Sequence, residues 1–116
     1  MVYKNLLLKS EDLSYVMSKV SSAVSKDPNA LNDGLNEINN CIQDLIAFAV
    51  SHKGSLSDCD KECVGVINSW NAFVSVLKKY QKIPRLSREH QCDLGNKLQA
   101  VNVANSKLVD RLRDLV

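Results

Sequence analysis

Between Leu94 and Leu115 the chain sets Leu94, Leu98, Val101, Leu108, Leu112 and Leu115 at alternating spacings of four and three. Asn105 takes the one position left over. This is one apolar residue per helical turn over three heptads, and nothing after Gly95 breaks the helix. A stripe that narrow cannot shield itself from water and must lie against other helices. The rest of the chain must therefore be read for helices able to cover it.

Three earlier segments carry the same spacing. The first runs through Tyr3, Leu6, Ser10, Leu13, Met17, Val20 and Val24, with Val16 beside it, and stops at Ser25-Lys26-Asp27-Pro28. Ser10 is read as a polar interruption in a long helix from Tyr3, in preference to the N-cap of a shorter one. The second opens at Pro28-Asn29, with Asn29 as N-cap, and repeats through Leu31, Leu35, Ile38, Ile42, Leu45 and Ala49. Its stripe is widened by Cys41, Ile46, Phe48 and Val50, which predicts deeper burial. His52-Lys53-Gly54 predicts its end, with cations in the last turn and a glycine in the left-handed conformation. The third starts with Ser57-Asp58-Cys59-Asp60 in the manner of a capping box. It continues through Cys59, Cys63, Val66, Trp70, Phe73, Leu77 and Tyr80, supported by Ile67 and Val74. Gly65 costs this helix about 1 kcal/mol relative to Ala, which predicts close approach of a neighbouring helix there. The segment ends before Pro84, and Ser87 caps the fourth helix.

Helices of roughly 20 to 29 residues are about 30 to 43 Å long, and connections of a few residues force antiparallel neighbours. The fold class expected is all-α, an antiparallel up-down-up-down four-helix bundle with coiled-coil-like packing. Residues 1–116 form one domain, long enough to bury roughly two-thirds of the unfolded surface. The paucity of turn residues, four Gly and two Pro, argues against an all-β domain. No apolar run approaches the roughly 18 to 20 residues that cross a bilayer. The three leucines before Lys9 are too short for a signal-peptide core, so a cytoplasmic location is expected.

Catalytic or metal chemistry finds no foothold in the pattern. Cys59 and Cys63 are one turn apart, but Cys41 and Cys92 are isolated, so the second ligand pair of a zinc site is missing. The four cysteines are read as small apolar residues; pairing into disulfides would require an oxidising compartment. The piece Lys53-Gly54-Ser55 and the expected fold resemble histidine phosphotransfer domains. In that family the reactive His precedes Lys by three positions, where this chain has Val50, and His52 adjoins Lys53. These residues are accordingly read as a helix stop. No glycine-rich phosphate loop or Gly-x-Ser-x-Gly turn occurs, and neither an enzymatic activity nor a cofactor is expected.

Charge is distributed unevenly. Residues 1–60 carry five cations and eight anions, residues 61–116 ten cations and five anions. The two halves either attract one another or give the molecule a basic face. Lys78, Lys79, Lys82, Arg85 and Arg88 fall within eleven residues around the turn between helices three and four. They form either a solvated end of the molecule or a docking patch for an acidic protein, a phosphoinositide headgroup or nucleic-acid phosphate. Only Tyr80 interleaves with them, which disfavours single-stranded nucleic acid. Asn105 is satisfied within the chain by a facing polar residue, Ser10 or His52, or else pairs with a second copy and makes the last helix a homodimer interface.

By elimination the sequence reads as a non-enzymatic protein–protein interaction module, an adaptor, regulator or inhibitor that uses the surface of a helical bundle. Grooves between such helices accept amphipathic helices. The alternative is an anion-binding protein that uses the basic turn. Salt dependence separates the two.

Overall fold

The computed structural model describes residues 2–26, 30–85 and 87–116, with the side chains of residues 24, 25 and 30–32 outside the description. Four helices account for nearly all of it: α1 Val2–Lys26, α2 Ala30–Ser51, α3 Asp60–Tyr80 and α4 Arg88–Leu115. No strand occurs among the described residues, and the protein is all-α. The long first helix is the one formed. Ser10 lies inside α1 and is fully buried, so it interrupts the seam and caps nothing. Pro28 and Asn29, expected to open the second helix, lie outside the described residues.

The connection between α2 and α3 departs from expectation. No glycine among the described residues has positive φ, so Gly54 does not end α2 in the left-handed conformation. Two 3₁₀ turns, Lys53–Ser55 and Ser57–Cys59, carry the chain across. Nor does Ser57 cap α3, whose N-cap is Cys59 with no side-chain hydrogen bond. Leu56 supplies the physical reason. It sits between the two turns with only 2% of its surface exposed, a core residue contributed by a connection. Drawing it inward takes tight local bonds, Ser55 N to His52 O at 2.8 Å and Cys59 N to Leu56 O at 3.1 Å. At the head of α4 Ser87 does cap. Its Oγ accepts from His90 N and its own N–H donates to His90 Nδ1, both at 3.2 Å, a capping box with His in the place of Glu.

Helix α1 packs against both α2 and α4, and α4 packs against α3, whereas α2 and α3 scarcely meet. The core unites Leu6, Leu13 and Met17 of α1 with Ile38, Ile42 and Leu45 of α2. Val66, Trp70 and Phe73 of α3 join Leu94, Val101, Leu108 and Leu112 of α4. Each large apolar side chain so buried contributes about 1.5–3 kcal/mol. The four-and-three stripes thus face inward, with Leu77, Tyr80, Leu98 and Leu115 half-buried at the margins.

The close approach expected at Gly65 occurs at another glycine. A Cβ on Gly65 would meet nothing within 4 Å, so no neighbouring helix approaches it. Close approach occurs at Gly34 of α2, where an added Cβ would overlap the Val20 side chain, with Val20 Cγ2 at 2.8 Å. Gly65 faces out of the α3–α4 contact and opens its surface.

Asn105 finds its partners inside the chain. It is fully buried, and its Nδ2 donates to the Ser10 carbonyl and to Ser14 Oγ, each at 2.9 Å. With the amide enclosed between α4 and α1, Asn105 itself presents nothing to a second copy. Ion pairing between the oppositely charged halves is slight. Among the described residues only Arg113–Glu11, at 3.3 Å, joins them as an ion pair, whereas Lys9–Asp44 and Lys19–Glu37 lie within the first half. All three pairs are solvent-exposed, which limits each to under about 1 kcal/mol.

Candidate docking groove

The sparse meeting of α2 and α3 leaves a recess of about 240 Å³ along their seam. Its apolar lining comes from Leu35 on α2 and from Trp70, Phe73, Val74 and Leu77 on α3. Trp70 and Phe73 are 5% and 2% exposed, so they are anchored in the core and reach the recess with little of their surface. Their ring centroids lie 5.4 Å apart at a tilt of 31°, within the range of favourable aromatic pairs. The rim is polar: Asn36 and Asn39 on the α2 side, Lys78 and Gln81 on the α3 side. An apolar floor with a few convergent polar groups is the usual build of a binding cleft.

The basic turn begins where this groove ends. Lys78 lines the groove itself, and Lys79, Lys82, Arg85 and Arg88 are exposed beyond it. Lys79 Nζ stands 5.9 Å from the Tyr80 ring centroid. No ion pair engages any of the five among the described residues. Tyr80 is held by its neighbours: its hydroxyl donates to Asp93 Oδ2 at 2.6 Å, and its ring leans on His90 at 4.5 Å. The Asp93 hydrogen bond, with desolvation second, pushes the phenol pKa up. Fixed in this way, Tyr80 is no free platform for a nucleobase. The capping box occupies the His90 amide, one of the donors that the head of α4 would offer to a phosphate. The cations therefore present a diffuse basic surface continuous with the groove.

Other surfaces are less well equipped. A broader saddle of about 750 Å³ lies on the outer side of the α3–α4 contact, over Gly65, Ala100, Val103 and Ala104. It has no aromatic floor. On α1, Leu8 and Tyr15 are 54% and 69% exposed, two turns apart. His52 is committed to Phe48, stacked on its ring at 4.2 Å with Nδ1 3.0 Å from its carbonyl oxygen.

The cysteines are free thiols, Cys59 and Cys63 buried, Cys41 half-buried and Cys92 exposed. Burial in apolar surroundings pushes the Cys63 thiol up to about 12, with the neighbouring Cys59 adding to it. Cys59 is raised too, again mainly by desolvation, and Cys41 likewise. Such thiols stay protonated and unreactive. Among the described residues no group of three or more His, Cys, Asp or Glu side chains converges as a metal site would require.

The sequence identified Leu35, Trp70, Phe73 and Leu77 as core stripe residues and Lys78 as part of a basic run, but not their convergence. Comparison with protein-family models, with curated proteins and with solved structures finds no match for this chain.

Proposed function

We propose that this protein is a non-enzymatic interaction module that receives an amphipathic helix of another protein in the groove between α2 and α3. The observation that carries this reading is the unclosed α2–α3 seam, floored by Trp70 and Phe73 and rimmed by amides. Anchor residues at interfaces are predominantly aromatic and arginine side chains set in desolvated surroundings, and an aromatic floor suits such an anchor. The scaffold behind the groove is an up-down-up-down bundle. Lys9–Asp44 and Lys19–Glu37 support opposite directions for α1 and α2, because the partner number falls as the α1 number rises. Asp58, near the start of α3, accepts from Tyr3 and from Arg111 Nε near the end of α4, while Tyr80 meets Asp93 at the other end. Free buried thiols favour a reducing, cytoplasmic setting.

A second reading draws on the five exposed cations without ion pairs: the basic turn docks on phosphoinositide headgroups or nucleic-acid phosphate. The seated capping box at the head of α4 and the committed Tyr80 ring weigh against it.

The test is reconstitution from purified components. A protein recovered with the tagged chain is purified and titrated against wild type, Asn39→Arg, Val74→Glu and, on the outer face of α1, Tyr15→Glu. Loss of binding with both groove substitutions and retention with Tyr15→Glu supports the groove. Retention with both groove substitutions refutes it. Binding that disappears between low and high salt regardless of the groove substitutions favours the basic turn.

A further inference from the structure

Resting on the groove reading, the geometry points to the chemistry of the occupant: an amphipathic helix whose apolar stripe is followed by carboxylates, laid so that its acidic end meets Lys78 and Lys82. The lining of the groove carries a single charged side chain, the Lys78 cation, among amides and apolar groups. The α2 wall offers Asn36 and Asn39, uncharged amides that can donate hydrogen bonds to an anion. Two carboxylates on the packed elements are already engaged, whereas Asp33, one turn before Asn36 on α2, is exposed without an ion pair among the described residues. Glu37 holds Lys19 at 2.9 Å, and Asp93 accepts from Tyr80 at 2.6 Å. Among the described residues no carboxylate pairs with Lys78 or Lys82, and at this end of the groove Gln81 is followed directly by Lys82 and then by Arg85. Complementary potential across an interface selects partners and speeds their encounter.

Helical geometry adds a register. From Trp70 to Lys78 the α3 axis advances eight residues, about 12 Å. An occupant lying along the seam therefore carries its Asp or Glu about two turns beyond the apolar residue seated on Trp70 and Phe73. Apolar residues at spacings of three and four precede that acidic end. The contacted length, Trp70 to Gln81, is about three turns, so a segment of roughly eleven residues suffices.

A helix-biased peptide display library, panned in parallel on wild type, on Lys78→Glu/Lys82→Glu and on Asn39→Arg, tests this directly. Lys78, Lys82 and Asn39 are exposed, so circular dichroism and the thermal midpoint should be unchanged in the variants. The expected wild-type pool has the apolar stripe with Asp or Glu two turns beyond its anchor, and binds the charge-reversed protein about tenfold more weakly. The charge-reversed protein should select Lys or Arg at that same position. An apolar stripe with no acidic bias, or one pool shared by wild type and the charge-reversed protein, overturns the acidic occupant and leaves the groove standing. Peptides that bind Asn39→Arg as well as wild type overturn the groove itself. Duplex oligonucleotide, or phosphatidylcholine vesicles containing phosphatidylserine, bound through Lys78 and Lys82 with no acidic peptide recovered would also overturn it.

Discussion

The Asn105 amide donates to the Ser10 carbonyl at 2.9 Å, ninety-five residues apart in sequence and enclosed between α4 and α1. Two polar atoms at this junction, Asn105 Oδ1 and Ser10 Oγ, have no hydrogen-bond partner among the described residues. The junction thus combines donors that fix the pairing of two helices with groups whose burial is unfavourable, each costing about 1–3 kcal/mol. Asn105→Ala should destabilise by about 1–3 kcal/mol, because it removes both bonds and leaves Ser14 Oγ unserved. Asn105→Leu combined with Ser10→Ala should cost less than Asn105→Ala, since it removes the unpartnered atoms and fills the space. Urea denaturation of the two variants gives the comparison.

Two of the helical glycines, Gly65 and Gly34, should respond with opposite sign. Gly65→Ala is expected to stabilise by about 0.5–1 kcal/mol, because its Cβ enters open space and the helix gains propensity. Gly34→Ala should destabilise by about 1–3 kcal/mol through overlap with Val20. A Val20→Ala background should relieve most of that penalty. Thermal midpoints of the four proteins would show both effects.

Thiol reactivity should follow burial. At mildly alkaline pH a thiol reagent should label Cys92 quickly and leave Cys59 and Cys63 unlabelled until denaturant is added. Stability should carry the same signature. The Cys63 pKa is raised from 9.0 to about 12 in the folded protein, so protons are held in the native state that the unfolded chain releases. The stabilisation linked to this group is complete below pH 9 and is lost as pH climbs towards 12. Cys63→Ala should flatten that decline, as read from urea midpoints on either side of pH 9. An unchanged slope would mean that the thiol is solvated.

These outcomes bear on what the sequence disclosed and what it withheld. The stripes identified inward-facing residues such as Leu13, Ile42, Val66 and Leu108, because one apolar residue per turn leaves a helix only one face to bury. Ser87 was legible as a cap for an equally local reason. Leu56 was not, since a single leucine between polar residues has no periodicity to announce burial. Gly34 and Gly65 look alike in sequence, and their difference lies in which neighbour passes each one. The groove was hidden for the same reason. Periodicity tells which side of α2 and α3 turns inward, yet their separation depends on how α1 and α4 fill the space between them. The basic run was visible from composition, but the position of Lys78 on the groove required the fold.

The central claim, that the α2–α3 seam is where a partner lies, is tested most directly by mapping amide and indole chemical shifts of the labelled protein during titration with a selected helical peptide. Trp70 is the sole tryptophan, so its indole signal reports from the groove floor without ambiguity. Perturbations are expected to concentrate at Leu35, Asn39, Trp70, Val74, Leu77 and Lys78. Perturbations confined to Leu8 and Tyr15, or to the saddle over Gly65 and Val103, with Trp70 unmoved, would contradict the claim.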